Sequence, residues 1–385
     1  MNWIQSIAAA FKGAGAERMP LAHGYLQGWS GNYSSGLSLQ SFDYTSAVEQ
    51  GYGSNPIAQR AVRIVAEGVG QAPVSVVDPS LLALIKATSA GQSLIETLAA
   101  HLVLHGNAFV QILKDASGTP IELFALRPDR MKVVTGDRGW PCAYDYQVGA
   151  QSIRIDLEDE QGWPNLIVIR SLHPTEDLSG ASTLAAANEA IAIHNAASAW
   201  NRTLLENAAR PSGALVYDGP EGTGLSTSQF SRLKGELIEA FSGAANAGRP
   251  MLLDGGLKWQ SLSMSPADMD FATLKSAAAR DIALAFGVPP MLLGLPGDNT
   301  YSNYREANRA LWRLTLLPLA SKLFAALSEG LAPWFTDAKI EVDLDRVPAL
   351  SEDRERLWKQ VSEADFLDAD EKRNLLGLAP KETNQ

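Results

Sequence analysis

Residues 281 to 312, DIALAFGVPPMLLGLPGDNTYSNYREANRALW, leave the chain few ways to fold. Gly287 and the Pro289-Pro290 pair remove helix-compatible backbone and amide donors together, so an apolar helix arriving here must stop near Phe286. A second long helix is expected to begin near Ser302. Between them, Met291, Leu292, Leu293 and Leu295 are too apolar for a solvated turn, whereas Gly294, Pro296, Gly297, Asp298 and Asn299 are turn formers. A loop is therefore held between two rods, and its apolar half calls for a partner surface.

The 385 residues fit two or three packed units better than one. Residues 20–54, rich in Gly, Ser, Tyr and Asn, read as an extended or loop segment after a loosely held N-terminal run. Helix starts at Asn55-Pro56, where Asn55 can cap and Pro56 suits the first helical position, and Ile57, Ala61, Ile64, Val65 and Val69 follow at helical spacing. VSVV reads as a strand, residues 91–105 as a helix capped near Gln92-Ser93, and the stretch to 175 as alternating strands and turns, giving an α+β unit.

An Ala-rich helix of about 29 residues, 181–209, would span roughly 43 Å. After it come the strand GALVYDG, the helix SQFSRLKGELIEAFSG and a hairpin of RPMLLDGG with LKWQSLS turning at Asp254-Gly255-Gly256. These form a small α/β insert before the helix 269–286. The helix 302–330 should be kinked by Pro318, and the tail adds the strand KIEVDL and short acidic helices from Ser351 to Leu376.

Catalytic chemistry is hard to find. His101 and His105 have the i, i+4 spacing of zinc ligands, but no Glu lies between them and no third ligand is near, so they read as a satisfied structural pair. Asp268 with Asp270, and Asp343 with Asp345, are too few for a cation site and read as solvated or capping groups. GYGSN lacks a phosphate-loop pattern, and Ser30 and Ser179 lack the nucleophile-elbow spacing. The single cysteine, Cys142, rules out an intrachain disulfide framework and reads as a small half-buried residue. No catalytic residue, cofactor or metal site is expected. A net charge of −11 argues against a surface that grips nucleic acid, and no uninterrupted apolar run of membrane-spanning length occurs, so no membrane partner is expected. The chain reads as soluble and cytoplasmic.

Residues 171–330 resemble the portal proteins of tailed double-stranded DNA bacteriophages, in the large family found in long-tailed phages. HPTEDLSGAS, ENAARPSGALVY, SGAANAGRPMLLDGGLKWQSLSM and, most specifically, DIALAFGVPPMLLGLPGDNTYSNYREANRALWRLTLLPL carry the resemblance. NPIAQRAVRIVAEGVGQAPVSV and HGNAFVQI extend it to about residue 50. The compact size is similar to the portals of gene transfer agents, phage-like particles that package host DNA.

The resemblance implies a non-enzymatic ring, usually of twelve subunits, at one capsid vertex in the virion, assembled in the bacterial cytoplasm. It implies a division into an N-terminal arm (1–54), an α+β wing (55–180), a stem helix (181–209), a clip (210–265), a second stem helix (266–290), a tunnel loop (291–303), a long kinked helix with a wing strand (304–345) and a short crown (346–385). Tunnel-loop residues Leu293, Gly294, Gly297, Asp298, Asn299, Thr300 and Tyr301 are the candidates beside passing double-stranded DNA, touching its backbone without reading bases; the alternative is that this loop packs subunit on subunit. The leucines would pack within the ring. Arg232, Lys234 and Arg249 of the clip are candidates for an acidic partner, with solvated charge as the plainer reading. Trp312 and Trp334 read as core or interface anchors. Implied partners are the chain itself, the major capsid protein, the large terminase, which would hydrolyse the ATP, and a head-tail adaptor. Competing classes are a scaffold ring without a channel and a soluble hydrolase with an unrecognised site.

Overall fold

A computed structural model describes residues 43–89, 91–137, 139–206, 213–217, 226–241, 257–261, 271–297, 300–336 and 338–378. The chain opens with α1 (Tyr44–Val48), capped by Asp43, and a wide π-helical turn, Glu49–Gly53. The expectation of a loop up to residue 54 is thus corrected from Asp43 onward. Composition there suggests a loop, but Ala47 and Gly51 are buried, and Gly51 lies so close to the Leu184 side chain that a Cβ would collide with it. Tertiary packing overrides weak local propensity.

Helix α2 (Pro56–Gly70) starts where Asn55 accepts from the Ile57 and Ala58 amides, both at 3.0 Å. Next come β1 (Val74–Val76), α3 (Pro79–Lys86), β2 (Thr88–Ser89), β3 (Gln92–Ser93) and α4 (Leu94–His105), which Ser93 caps. Strands β4 (Asn107–Lys114) and β5 (Pro120–Leu126) follow, then β6 (Met131–Thr135), β7 (Pro141–Val148), β8 (Gln151–Asp156) and β9 (Leu166–Arg170). Residues 130–157 form a compact unit of their own, the antiparallel sheet β6-β7-β8, so the expected single α+β unit is divided. In that unit Cys142 is exposed rather than half-buried, its thiol 3.4 Å from the Val134 carbonyl.

In the larger unit, β4 is the centre of the antiparallel sheet β5-β4-β9, with Val110 opposite both Ala125 and Ile167. Helix α4 packs on this sheet and on α2, and Leu94, Ile95, Leu98, Ala99 and Leu102 are buried around it. Each large apolar side chain removed from water contributes about 1.5–3 kcal/mol, which makes α4 the pivot of the core.

The long helix α5 (Thr183–Glu206) enters this core through Leu184, Ala187 and Ile191 and lies beside α7 (Phe271–Ala285). Between them in the chain are β10 (Gly213–Tyr217), α6 (Thr227–Phe241) and β11 (Leu257–Ser261), with β10 and β11 paired antiparallel from Gly213↔Ser261 to Tyr217↔Leu257. The expected hairpin at Asp254-Gly255-Gly256 falls outside the described residues.

Helix α8 (Tyr301–Leu311), a second π-helical turn (Trp312–Leu316) and α9 (Leu317–Leu331) run on without a break. The kink expected at Pro318 takes the form of this wide turn. Pro318 offers no N–H and its ring crowds the preceding carbonyl; the helix widens just ahead of it, with the Leu317 amide reaching back to Trp312 O. By length and composition this 31-residue stretch passes for a membrane span, yet Leu316, Ala320, Leu323, Phe324, Leu327 and Leu331 are buried in the protein core. Strand β12 (Ile340–Val342) pairs with β1, and α10 (Ser351–Ser362) and α11 (Ala369–Leu375) close the chain.

The motifs HGN and SGAS meet in a clasp. The Asn107 side chain accepts from the Gly180 amide at 2.9 Å, Ser182 Oγ donates to Leu104 O at 2.6 Å, and the Ser171 amide donates to Gly106 O at 2.8 Å. Gly106, at φ +82°, ends α4, and a Cβ on Gly180 would run into its carbonyl oxygen.

Candidate functional site: a loop pinned between two helices

The loop between α7 and α8 begins with a left-handed residue. Gly287 has φ +64°, and Thr315 Oγ1, from the wide turn before Pro318, donates to its carbonyl at 2.7 Å. A side chain at 287 would be strained in φ and would meet Thr315, so this glycine ends α7 and docks it on the later helix in one step. A short 3-10 turn, Pro290–Leu293, follows. Leu292 and Leu293, each half-buried, pack against the core of their own chain, so part of the partner surface that the apolar half calls for is supplied from within the chain.

Past Gly294 (φ +74°), the Leu295 amide donates back to Pro290 O at 3.2 Å. Arg280 on α7 then reaches across: one terminal nitrogen donates to Ser276 Oγ at 2.7 Å and the other to Pro296 O at 2.8 Å. On the far side Thr300 caps α8 by accepting from the Asn303 amide at 3.2 Å. Of the candidate loop residues, Leu293 is thus a core contact, Gly294 a turn residue and Thr300 a cap. Gly297 and Tyr301 stay exposed, Tyr301 by 79% and beneath the Arg305 guanidinium at 5.6 Å. Asp298 and Asn299 lie outside the described residues.

Arginines recur at one-turn intervals along α8 and the wide turn that continues it: Arg305, Arg309 and Arg313. Arg309 bonds to Glu352 at 2.8 Å and approaches Asp353 at 3.4 Å, while Arg313 bonds to Asp353 at 2.6 Å. These pairs tie the helix leaving the loop to the start of α10. In the clip, Arg232 and Lys234 are exposed on α6, but a two-residue spacing on a helix does not put them on one face, and Arg249 lies outside the described residues.

The remaining candidates for chemistry are structural. Asp343 caps a short turn, and Asp345 accepts from Arg354 and from Trp358 Nε1, which hold its carboxyl below the usual range. His105 takes a hydrogen bond from the Asn107 amide at 3.1 Å and stacks edge-on to Tyr44. His101 departs from the expectation of a satisfied pair: its Nδ1 is buried without a hydrogen-bond partner, and burial, then the neighbouring His105, push its pKa down to about 4. Among the described residues no group of three His, Cys, Asp or Glu side chains is placed to hold a metal ion. Trp334 is an anchor, donating to Gly118 O at 2.8 Å and packing on Trp163, and Trp312 packs on the core.

Reasoning from sequence missed Arg280, Thr315 and the Asn107 clasp. The i, i+4 pair Ser276/Arg280 is the one signal for the first; the others join residues 28 and 73 positions apart, which no local pattern reveals.

A family model described as phage portal protein matches residues 56–377. An uncharacterized protein of Rickettsia bellii (strain RML369-C) is 38% identical over 344 residues, covering 85% of this chain and 87% of that one. A probable portal protein of Streptomyces phage phiC31 is 25% identical over 347 residues, covering 83% and 74%. Among solved structures, a chain in the neck of a native gene transfer agent particle, computed with C12 symmetry, is 46% identical with a TM-score of 0.68 and covers 89% of this chain and 95% of that one. An HK97 family phage portal protein from Corynebacterium diphtheriae, 17% identical with a TM-score of 0.55, covers 78% and 98% and is a likeness of fold.

Proposed function

The chain belongs to the phage portal protein family, and from that premise we propose that it forms a ring of twelve copies at one vertex of a capsid, through which double-stranded DNA enters and leaves the particle. The observation that carries this reading is the 46% identity, over nearly the whole of both chains, with a protein in a gene transfer agent neck of C12 symmetry. Helices α5 and α7 serve as the stem, residues 210–265 as the clip, and the pinned loop as the part nearest DNA. The acidic balance, −11 per chain, suits a conduit. Phosphates must slide, and a collar of clustered Lys and Arg would hold them through counterion release.

In this role the ring performs no chemistry. The large terminase supplies the work of ATP hydrolysis and docks on the clip, where a head-tail adaptor replaces it once packaging ends; the capsid protein surrounds the wing. Rings assemble in the bacterial cytoplasm and stay in the particle. Native mass spectrometry with negative-stain imaging tests the core of the proposal: the expected result is a closed ring with a central hole wide enough for duplex DNA. A monomer at every concentration overturns the portal reading, and a ring too narrow for duplex DNA favours a scaffold.

A further inference from the structure

We infer that the cleft between the turns 115–118 and 159–162 is a docking site for an arginine-bearing segment of a partner protein, with Asp115 and Trp163 as the receiving groups. The two turns are built alike. In each, one carboxylate oxygen of the leading Asp accepts from the amides two and four residues on: Asp115 Oδ1 from Ser117 at 2.8 Å and Thr119 at 2.9 Å, Asp159 Oδ1 from Gln161 at 3.0 Å and Trp163 at 2.8 Å. A left-handed glycine, Gly118 or Gly162, closes each turn.

The turns differ in the second oxygen. Asp159 Oδ2 holds the Lys114 ammonium at 2.6 Å, and that ammonium lies 5.2 Å from the centre of the Trp334 ring. One complete cation site, a carboxylate oxygen beside an indole, is thus filled from within the chain. Asp115 Oδ2 takes no hydrogen bond among the described residues. Trp163 stacks edge-on against Trp334, with ring centres 4.9 Å apart, and is 37% exposed. Both line one cleft of about 500 Å³, so the same two parts recur there without a cation.

Their positions are fixed beforehand. Trp334 Nε1 donates to Gly118 O at 2.8 Å, which ties the Asp115 turn to the tryptophan pair. Lys114 is offset by Asp159, so Asp115 sets the sign of the cleft, and the exposed Glu160 on the other turn adds to it. The Ser117 hydroxyl and the Thr119 amide hold the Asp115 carboxyl below the usual carboxylate range, which keeps it ionised. A guanidinium suits these groups better than an ammonium, because its plane can lie on the open Trp163 face while an N–H reaches Asp115 Oδ2. The volume exceeds what one side chain fills and leaves room for the residues flanking the arginine, which favours a polypeptide segment over a free ion.

Saturation-transfer NMR on the purified full chain tests this with two capped peptides, Gly-Gly-Arg-Gly-Gly and Gly-Gly-Glu-Gly-Gly, and with spermidine. The arginine peptide should bind saturably, with transfer to its side-chain protons, and the glutamate peptide should not bind. D115N keeps an oxygen for the turn amides and loses the charge. It should weaken the arginine peptide about fivefold or more, W163A by a similar factor and W163F by less. W163A also removes the contact with Trp334, so thermal melts accompany each variant, and D115N with W163F decide the matter if W163A melts early. Absence of saturable binding to wild type overturns the site, as does unchanged affinity in D115N and W163F. Spermidine binding as tightly as the arginine peptide, with the same dependence on Asp115 and Trp163, overturns the partner segment in favour of a small polycation.

Discussion

His101 is the side chain least suited to its surroundings. It sits on α4, the most buried helix, with Nδ1 lacking a partner and with His105, Arg127 and Asp129 as its titratable or charged neighbours. Burial is the largest influence and disfavours the charged ring, so its folded pKa, about 4, lies below the ordinary 6.5. The unfolded chain therefore binds the proton first as pH falls. The stability due to neutral His101 is complete above 6.5 and is lost progressively towards 4, by at most on the order of 3 kcal/mol. His105 and His194 are shifted the same way, so the wild-type melting temperature should fall between pH 7 and 5. H101L removes one of these contributions together with a buried polar atom that has no partner. It should melt higher than wild type at pH 5 and show a flatter profile, and equal slopes in thermal melts of the two proteins would remove His101 as a cause. Asn55, by contrast, was readable from its dipeptide with Pro56, because a cap is local chemistry. Its bonds to His194 at 3.1 Å and Asn195 at 2.9 Å, which carry the cap into α5, span about 140 positions and leave no mark on the sequence nearby.

Among the elements, the junction of α4, β4 and α5 is the least tolerant of change. The Gly106 and Gly180 backbones touch, and Asn107 and Ser182 bond across the contact. G180A has no rotamer to relieve the collision, since the opposing atoms are backbone. It should destabilise the protein by about 4 kcal/mol, read as the shift in denaturant midpoint, whereas G118A on an open hairpin turn should cost far less. If the two variants unfold alike, the clasp is not a close contact. The strands and long helices were legible because turn and capping residues bound them: β4 and β9 are short runs rich in apolar residues, and Gly287 with Pro289 stops α7. The elements that escaped notice were short. α1 is five residues in a stretch of Gly and Tyr, and α3, only eight, hides behind a lone Asp78-Pro79 signal. The wide turn at 312–316 was visible only as a proline in a helix. What Pro318 does for the site, placing Thr315 where it grips Gly287, depends on a helix that arrives from elsewhere.

At the scale of the whole molecule, the sequence showed that a loop must sit between two rods but not which surface its apolar half would meet. Leu292 and Leu293 pack on their own core, and the described residues after them are held by local bonds: the Leu295 amide on Pro290 O, Arg280 on Pro296 O and the Thr300 cap. A deletion of 294–300 should therefore spare the fold. It removes the Arg280 acceptor and one helix cap, the latter worth about 1 kcal/mol, and leaves every core leucine in place. Rings of normal size should still assemble, because the α+β core, the packed helices α5 and α7 and the ion pairs that join Arg309 and Arg313 to α10 are untouched. What should fail is passage or retention of DNA, since on the proposed reading the loop is the part of the ring nearest to it. Counting full-length genomes per particle decides this. Normal DNA content after the deletion would show that the loop's exposed residues serve something other than the nucleic acid, and would leave the stem wall as the part of the ring that meets it.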